Sequence, residues 1–464
     1  MKKLLKYILP VVLIAFTVSS CSDKLELDPH QSVNADVALK DLTGLELALT
    51  GAYDAIQDES SYGQDNIQVG EVLTSEIYWD GSYNSYIEIS NKALTTANGE
   101  ASGLWIQAYD GINRVNRILE AIENGSVEES AEYDANKDRI KGEALFIRGI
   151  LEYQLVTFFA KPVGSTADNS HLGVPIMLKA TNNSDDAALK PARNTVAENY
   201  EQIISDLSIA AELLPDDNGN NADKFAAKGF LSRVYLMYGM NDEAAAVSNE
   251  VIASGKYELL DDITAFFTIK NINESVFEIQ MTASDNLGGQ NQSLANYWWD
   301  QERDEIHVPQ AVIDRYDDGD ARKTGWFYTA NDKWYSAKYT DTEQNTPVLK
   351  YSEILLNRAE ALAADGFNQE ALDLVNQVRS RAGVADAVAT TQEELVSVIR
   401  NERKLEFVHE GIRINDLKRW KEPIGYSNRS LEGQTVSWDD NSVVLPIPQR
   451  EMDINENLIQ NEGY

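Results

Sequence analysis

Apolar residues after Asp36 recur mostly at offsets of three, four and seven positions, the period of an α-helix with one buried face. This period predicts helices over residues 42–56, 103–123, 138–160 and 196–214. It also predicts two helix pairs, 222–239 with 242–254 and 352–364 with 368–382. Residues 275–280 alternate between apolar and polar positions, which predicts a strand. The fold is therefore predicted to be mostly α, with long loops and minor β-structure.

The two predicted helix pairs place alanines where helices would cross and Gly or Asp at the turns. The positions concerned are Gly239 and Ala245 in the first pair and Ala359, Gly366 and Ala371 in the second. This arrangement resembles degenerate tetratricopeptide repeats, which are helix-turn-helix units of about 34 residues. The pairs lie far apart in the sequence, so a regular array is not expected. Plain packing of helical hairpins explains the pattern equally well.

The first 20 residues combine three lysines with an apolar run over 7–18. That run is shorter than the about 20 residues that span a bilayer, and it is typical of a signal peptide. It ends in Ser19-Ser20-Cys21, which resembles a bacterial lipobox. The resemblance implies removal of residues 1–20 and a lipid on Cys21, with 21–35 as a tether. A simple secretory signal followed by an incidental cysteine is the alternative.

The chain of 464 residues has 40 Lys and Arg against 75 Asp and Glu, a formal charge of −35. So acidic a surface repels phosphate backbones, which argues against nucleic-acid binding. Cys21 is the only cysteine, so neither an intramolecular disulfide nor a Cys-based zinc site can form. The acidic run 314–320 lacks the ligand spacing of an EF-hand. Phosphate-cradling and dinucleotide-binding glycine motifs are absent too. We therefore predict no cofactor and no metal.

Residues 399–420 form the most ordered motif of the chain. A helical apolar stripe runs beside charged positions, so Arg403 is predicted to pair with Glu406 one turn later. Gly411 is predicted to cap the helix C-terminus. The order of residues resembles the C-terminal signature of the SusD/RagB family, with matches at Asn401, Glu402, Arg403, Glu406, Glu410, Gly411, Arg413, Asp416, Leu417, Arg419 and Trp420.

The resemblance extends over nearly the whole chain after Cys21. Further landmarks that look like those of the family lie at 142–148, 173–176, 223–236, 275–280, 358–361, 445–449 and 457–464. It implies a single SusD-like domain over 36–464, with an N-terminal helical half (36–285) and a C-terminal signature half (286–464). Because ligands vary widely in this family, the signature charges Glu402, Arg403, Glu406, Glu410 and Arg413 are predicted to hold the fold together.

The family resemblance also implies location and function. Its members are outer-membrane lipoproteins that capture nutrients for a SusC-like, TonB-dependent transporter. We therefore expect a lipid-anchored protein that faces the cell surface and delivers an oligosaccharide or polysaccharide to such a partner. The helix pairs are the predicted partner-facing surface. A peptide or another nutrient as ligand is the alternative, and a purely structural role on the transporter is a third.

Sugar binding needs flat apolar ring faces together with amide or carboxylate groups, and Trp and Tyr carry both a face and a polar tip. Aromatic residues in polar loops are therefore better candidates than those on helical stripes. The candidate ligand-binding residues are Tyr78, Trp79, Tyr83, Asn84, Trp298, Trp299, Trp326 and Tyr328. Packing within loops is an equally good explanation for each tryptophan of this set. Trp105 and Trp420 are predicted to be structural.

A catalytic function is not favoured by the sequence. Asp80 with Glu76, or Asp300 with Glu302 and Asp304, could supply a carboxylate pair for glycoside hydrolysis. With 75 acidic residues in the chain, however, such proximity is expected by chance. We therefore predict a binding protein without catalytic residues.

Overall fold

The computed structural model describes residues 38–464. The predicted signal peptide 1–20, the lipidation of Cys21 and the tether 21–35 lie outside the described residues. Within 38–464, no helix is both long and apolar enough to cross a membrane. The architecture that follows concerns this described part.

Nine helices of 13 or more residues dominate the described chain and confirm the mostly α prediction. They are α1 (Leu42–Gln57), α2 (Gly99–Glu123), α3 (Ala131–Phe159), α4 (Val196–Leu213), α5 (Lys224–Tyr238), α6 (Asn241–Ala253), α7 (Tyr351–Ala363), α8 (Gln369–Arg381) and α9 (Gln392–Glu406). Shorter helices occupy Asp65–Val72, Asn84–Ser90, Ser184–Ala187, Leu294–Trp298, Gln310–Ile313, Ala321–Gly325, Arg413–Trp420 and Gln449–Ile454.

Polar caps explain why two helices begin earlier than their apolar period predicts. The Asn98 side chain accepts a hydrogen bond from the Ala101 amide and starts α2 four residues before the predicted position 103. Ser130 accepts from the Tyr133 amide in the same way and starts α3 seven residues before position 138. These side chains satisfy amides that have no partner within the helix.

The β-structure is minor and consists of four antiparallel pairs of short strands. The strands are β1 (Tyr78–Trp79), β2 (Ser275–Ile279), β3 (Ile306–His307), β4 (Phe327–Ala330), β5 (Lys333–Ser336), β6 (Thr346–Lys350), β7 (Ile424–Gly425) and β8 (Thr435–Val436). The pairs are β1 with β3, β2 with β6, β4 with β5, and β7 with β8. The predicted strand at 275–280 is thus confirmed as β2.

The two helix pairs are neighbours in space although they lie far apart in the sequence. Helix α6 packs against α7, so α2 to α8 form one row in which each helix contacts the next. Small side chains allow this approach, since Ala244 and Ala361 are buried together with Leu236. The Arg358 side chain also donates to the Ala245 carbonyl at 2.6 Å. The gap in sequence between the two pairs therefore does not interrupt this row of helices.

The structure contradicts the predicted Arg403–Glu406 pair. Arg403 instead donates to Asp416 at 3.0 Å and to the Asn357 side chain at 2.7 Å. Glu406 faces the other way, where Arg322 donates to it at 3.1 Å and Arg381 also binds it. Both side chains are buried, so the elements packed on either side of α9 select their partners.

The predicted C-cap at Gly411 is also wrong. Helix α9 ends at Glu406, and the chain then turns through His409 and Gly411, which have φ angles of +62° and +73°. Gly411 lies against the Asp65–Val72 helix, where an added Cβ would come within 2.8 Å of the Ile67 Cα atom. A glycine is required here by the close approach of two backbones and the positive φ angle.

Four of the five signature charges, Glu402, Arg403, Glu406 and Glu410, are buried and paired, as predicted for residues that hold the fold together, whereas Arg413 is half-buried. Glu402 contacts Arg322 at 2.6 Å and Arg379 at 3.0 Å. Glu410 accepts from Lys338 at 2.5 Å and from Lys350 at 2.8 Å. Burial alone would raise the pKa of Glu406. The surrounding Arg381, Lys350 and Arg322 charges outweigh it and hold that pKa well below its usual range.

Candidate functional site

A cavity of about 360 Å³ opens where three helices begin. Its walls come from the turn after α1, from the first turns of the Asp65–Val72 helix and of α2, and from the loop around the Leu294–Trp298 helix. We call it the Tyr83–Tyr297 cavity, lined by Glu59, Gln64, Asp65, Tyr83, Glu100, Gln290, Asn291, Gln292, Tyr297 and Arg303. Amide, carboxyl and phenol groups of this kind can bind sugar hydroxyls.

Two buried oxygen atoms at the base of this cavity lack ordinary hydrogen-bond donors. Asp65 accepts from the Tyr86 hydroxyl through Oδ1 at 2.5 Å, whereas its Oδ2 atom receives no N–H or hydroxyl donor within the described structure. Gln64 donates through Nε2 to Tyr86 at 2.9 Å, and its Oε1 atom likewise has no partner among residues 38–464. Both atoms are closed to solvent, so they shape the base of the cavity and offer a ligand no direct contact.

The carboxyl groups of the cavity crowd one another. Burial and the neighbouring Glu100 raise the pKa of Asp65 well above its usual value, and burial raises that of Glu100. Burial, followed by the charges of Asp58 and Glu100, raises the pKa of Glu59 to about 7. Near neutral pH a substantial share of the Glu59 carboxyl groups is therefore protonated and can donate a hydrogen bond.

Two tyrosines and an arginine form the side walls. Tyr83 is 48% exposed, so one of its ring faces is open to a ligand. Tyr297 is only 6% exposed, and the Arg303 guanidinium lies 4.2 Å from its ring centre. Arg303 is the one cationic group among the ten lining residues. The cavity thus combines one aromatic platform with groups that can both donate and accept.

Of the predicted ligand-binding residues, Tyr83 alone lines this cavity. Tyr78 and Trp79 are buried, and Trp79 packs against Tyr86 at 4.7 Å and Tyr297 at 6.3 Å between ring centres. The Asn84 side chain is exposed but donates to Glu88 at 3.0 Å, outside the cavity. Trp79 therefore supports the aromatic wall without forming part of its surface.

Trp298 and Trp326 lie in the interior, and the structure does not support them as ligand contacts. Trp298 is fully buried against Tyr339 and His409, at 5.2 and 5.1 Å between ring centres. Trp326 is 2% exposed, and its indole donates to the Ile263 carbonyl at 2.9 Å. A ring that solvent cannot reach has no face for a sugar, so the packing explanation holds for these two residues.

Trp299 and Tyr328 are half-buried and do not line the cavity. Tyr328 stacks on Tyr335, with ring centres 5.3 Å apart, and donates to Asp300 at 2.7 Å. The residues predicted to be structural have packing roles. Trp105 is buried against Phe159, and the half-buried Trp420 donates to Glu360 at 2.6 Å.

The carboxylates considered for hydrolysis are all engaged by protein groups. Glu76 is buried and bound by Arg315, whereas Asp80 is bound by His307 at 2.6 Å and by Arg429 at 2.5 Å. Asp304 accepts from His307 at 2.8 Å and from Tyr335 at 2.7 Å. None of them lines the Tyr83–Tyr297 cavity. In the part of the chain that the structure describes, no group of three or more His, Cys, Asp or Glu side chains could hold a metal ion.

Most of the residues that line the cavity carry no recognisable signal in the sequence. The cavity joins two groups of residues that lie far apart in the sequence, and no local pattern links them. The first group contains Glu59, Gln64, Asp65 and Glu100, and the second contains Gln290 and Arg303. Tyr297 had a usable signal, because it adjoins the aromatic candidates Trp298 and Trp299 in the sequence.

Comparison with known proteins agrees with this architecture. A protein-family model described as starch-binding and associating with the outer membrane matches residues 24–236. A second protein-family model, that of the SusD family, matches residues 326–464. The chain belongs to the SusD family.

Three relatives show how far this SusD-family chain resembles known members. SusD-like protein P2 of Formosa agariphila is 27% identical over 99% of this chain and 100% of that protein. Starch-binding protein SusD of Bacteroides thetaiotaomicron is 33% identical over 28% of this chain and 23% of that protein. The crystal structure of a SusD superfamily protein from the same species superimposes with a TM-score of 0.80 at 26% identity, covering 91% of this chain and 99% of that one.

Proposed function

We propose that this SusD-family protein binds an oligosaccharide in the Tyr83–Tyr297 cavity without modifying it. The observation that carries the proposal is the 48% exposed ring of Tyr83 beside the exposed amide side chains of Gln290 and Asn291 in one cavity. A sugar ring stacks its C–H face on an aromatic side chain and donates hydrogen bonds from its hydroxyls. Both features of the ligand are therefore matched within one cavity.

Carbohydrate is favoured over peptide because three amide side chains, Gln290, Asn291 and Gln292, line the same cavity as its carboxyl groups. Sugar hydroxyls both donate and accept, and they satisfy mixed groups of this kind. The starch-binding names of the matching family model and of the Bacteroides thetaiotaomicron relative support the same ligand class. Absence of turnover is supported by the engagement of Asp80 and Asp304 in protein hydrogen bonds.

The proposed partner is a SusC-like TonB-dependent transporter in the outer membrane, to which this protein delivers the glycan. Family membership and the outer-membrane description of the matching model support this location. The lipobox-like sequence before Cys21 supports anchoring through lipid, with the folded part facing the cell surface. Co-purification of the transporter from outer membranes tests the partnership, and charge-reversal substitutions on α5 to α8 test whether the helix pairs form the contact.

Residues 36–464 are proposed to fold as a single domain, with halves 36–285 and 286–464 that depend on each other. The β1–β3 ladder pairs Tyr78 with His307 across the two halves. The Gly411 amide also reaches Glu71, 340 positions earlier in the chain. One cooperative unfolding transition supports this organisation, whereas two separate transitions contradict it.

Calorimetric titration of the purified protein with neutral oligosaccharides and with peptides of similar size tests the binding proposal. We expect oligosaccharide binding, and Tyr83→Ala is expected to weaken it about tenfold through loss of the stacking face. Phe367→Ala is the matched control, because Phe367 is 41% exposed in the α7–α8 turn, outside the cavity. Equal affinity of Tyr83→Ala and wild type for every oligosaccharide would contradict the proposal.

A further inference from the structure

We propose that the Tyr83–Tyr297 cavity is the first position of a longer groove that holds an extended, uncharged polysaccharide chain. The inference rests on the proposed function and adds the length and charge class of the ligand. It follows from two further cavities that continue from the first, from the side chains that line them, and from the excess of carboxylates along the whole path.

The three cavities share walls and therefore form one continuous depression. A second cavity of about 150 Å³ shares Glu59, Gln290 and Gln292 with the first. A third, of about 380 Å³, shares Asp54, Gln57 and Asp285 with the second. We call the joined cavities the groove. A ligand that leaves the first cavity past Glu59 thus meets two more concave positions.

Helix α1 sets the direction of the groove. Thr50, Asp54 and Gln57 line the third cavity, and the residues directly after the helix line the second. From Thr50 to Gln57 a helix advances about 10 Å. The third cavity alone is therefore as long as two helical turns, so the full path suits a chain of several sugar units rather than a single one.

The third cavity repeats the chemistry of a sugar-binding surface. Ile56, Phe277 and Ile279 are buried and supply an apolar floor, while Gln57 and the exposed Asn220 stand at its rim. The rim is fixed in place, since Gln57 donates to the Gln280 carbonyl at 2.8 Å. An apolar floor with a few oriented polar groups is the usual composition of a small-molecule site.

Carboxylates along the groove select against anionic chains. Asp58, Glu59 and Asp285 line the second cavity, and Asp54 is shared with the third. Arg114 pairs with Asp54 at 3.0 Å, and Arg303 lies at the far end of the path. The formal charge of −35 on the whole chain repels anions as well, in addition to the carboxylates of the groove.

Chain length is the variable that tests the groove. Wild-type protein is titrated calorimetrically with disaccharides and hexasaccharides of neutral glucan, xylan and mannan series. We expect at least one neutral hexasaccharide to bind about tenfold more tightly than its own disaccharide. If no neutral hexasaccharide gains over its disaccharide, the groove proposal is overturned.

A substitution that fills the third cavity locates the effect. Gly51 lines this cavity, and the nearest atom to an added Cβ is the Arg114 Nη1 atom at 3.9 Å, so a side chain fits without a clash. Gly51→Phe is expected to remove the tenfold gain of the hexasaccharide and to leave disaccharide affinity unchanged. Leu47→Phe, at a 69% exposed position of the same helix outside the cavity, is the matched control.

Asn220→Ala is the second variant, because it removes a rim amide on an exposed loop without adding volume. It is expected to weaken hexasaccharide binding about threefold. Unchanged hexasaccharide affinity in both Gly51→Phe and Asn220→Ala overturns the groove. Unchanged disaccharide affinity in Tyr83→Ala instead overturns the proposed function, so the two failures are distinct.

Oligogalacturonates of two and six units test the charge class. We expect the anionic hexamer to gain nothing over its dimer in wild type, and to bind more tightly to the Asp58→Asn, Asp285→Asn double variant. A wild-type gain equal to that of the neutral series overturns the assignment to uncharged chains, even where the length effect holds.

Discussion

The amide of Gly411 donates a hydrogen bond to the Oε1 atom of Glu71 at 2.8 Å, which joins two residues 340 positions apart. Glu71 is fully buried, and its other carboxyl oxygen has no hydrogen-bond partner within residues 38–464. A residue of the C-terminal signature motif thus contacts the Asp65–Val72 helix, whose first turn lines the Tyr83–Tyr297 cavity. The motif is therefore linked to this cavity by packing, and its residues do not line it.

Gly411→Ala is expected to destabilise the fold by more than about 2 kcal/mol. A positive φ angle costs an alanine about 1–2 kcal/mol, and the added Cβ would also meet the Ile67 Cα atom at 2.8 Å. Gly125→Ala is the control, because Gly125 has a φ angle of +65° but nothing within 4 Å of its added Cβ. Urea unfolding of both variants checks the prediction. Equal losses would mean that the contact with Ile67 is unimportant.

Replacement of Arg322 by methionine is expected to cost about 3–5 kcal/mol of unfolding free energy, because it leaves buried carboxylates without a counter-charge. The Arg322 side chain is fully buried and contacts Glu402 at 2.6 Å and Glu406 at 3.1 Å. The adjacent Lys323 pairs with the fully exposed Asp318, so Lys323→Met should have no measurable effect in the same denaturation experiment. A stable Arg322→Met protein would show that neighbouring cations replace the lost charge.

The stability effect of Glu71→Gln is expected to depend on pH. Burial, followed by the nearby Glu76 charge, raises the pKa of Glu71 from 4.5 to about 8 in the folded protein. Between these two values the folded state binds more protons than the unfolded state, so this group makes stability fall as pH rises. Glu71→Gln removes that loss and should be relatively more stabilising at pH 8 than at pH 5. Chemical denaturation at both values is the measurement, and a constant difference would contradict the raised pKa.

Trp298→Ala is expected to lower the unfolding free energy by about 3–5 kcal/mol, the usual cost of truncating a large buried aromatic side chain. Trp298 is fully buried, so the oligosaccharide affinity of the folded fraction should stay at the wild-type value. Tyr83→Ala should show the reverse, with weaker binding and little change in stability. Calorimetric titration together with thermal unfolding separates the two effects. Loss of affinity in a stably folded Trp298→Ala protein would instead support Trp298 as a ligand-binding residue.

Cys21→Ser is expected to release the protein from the outer membrane, because a lipid on Cys21 is the proposed anchor. Fractionation of cells that express each form, followed by extraction of the membranes with salt, checks the outcome. Ser22→Ala is the matched control and should remain in the membrane fraction. If Cys21→Ser stayed bound after high-salt extraction, another attachment would have to exist.

Helical periodicity is sufficient to locate the long helices. Each of them buries one continuous face, and the spacing of apolar residues in the local sequence encodes that face. The order of charged and glycine positions at 399–420 is sufficient to indicate the family. Helix starts are less accurate, because a capping side chain such as Asn98 adds residues that carry no apolar period. The amino-acid sequence by itself therefore determines approximately where the long helices lie and which fold class they form.

Tertiary structure alone decided which polar and aromatic residues meet. The aromatic loops contain both the exposed Tyr83 and the buried Trp298, and their compositions look alike in sequence. Burial depends on which distant element covers a ring, as His409 covers Trp298 from more than 100 positions away. The same reason applies to Arg403, whose partner Asp416 lies on the following helix rather than one turn along its own. Local sequence determined the helices, and packing between distant segments determined the cavity.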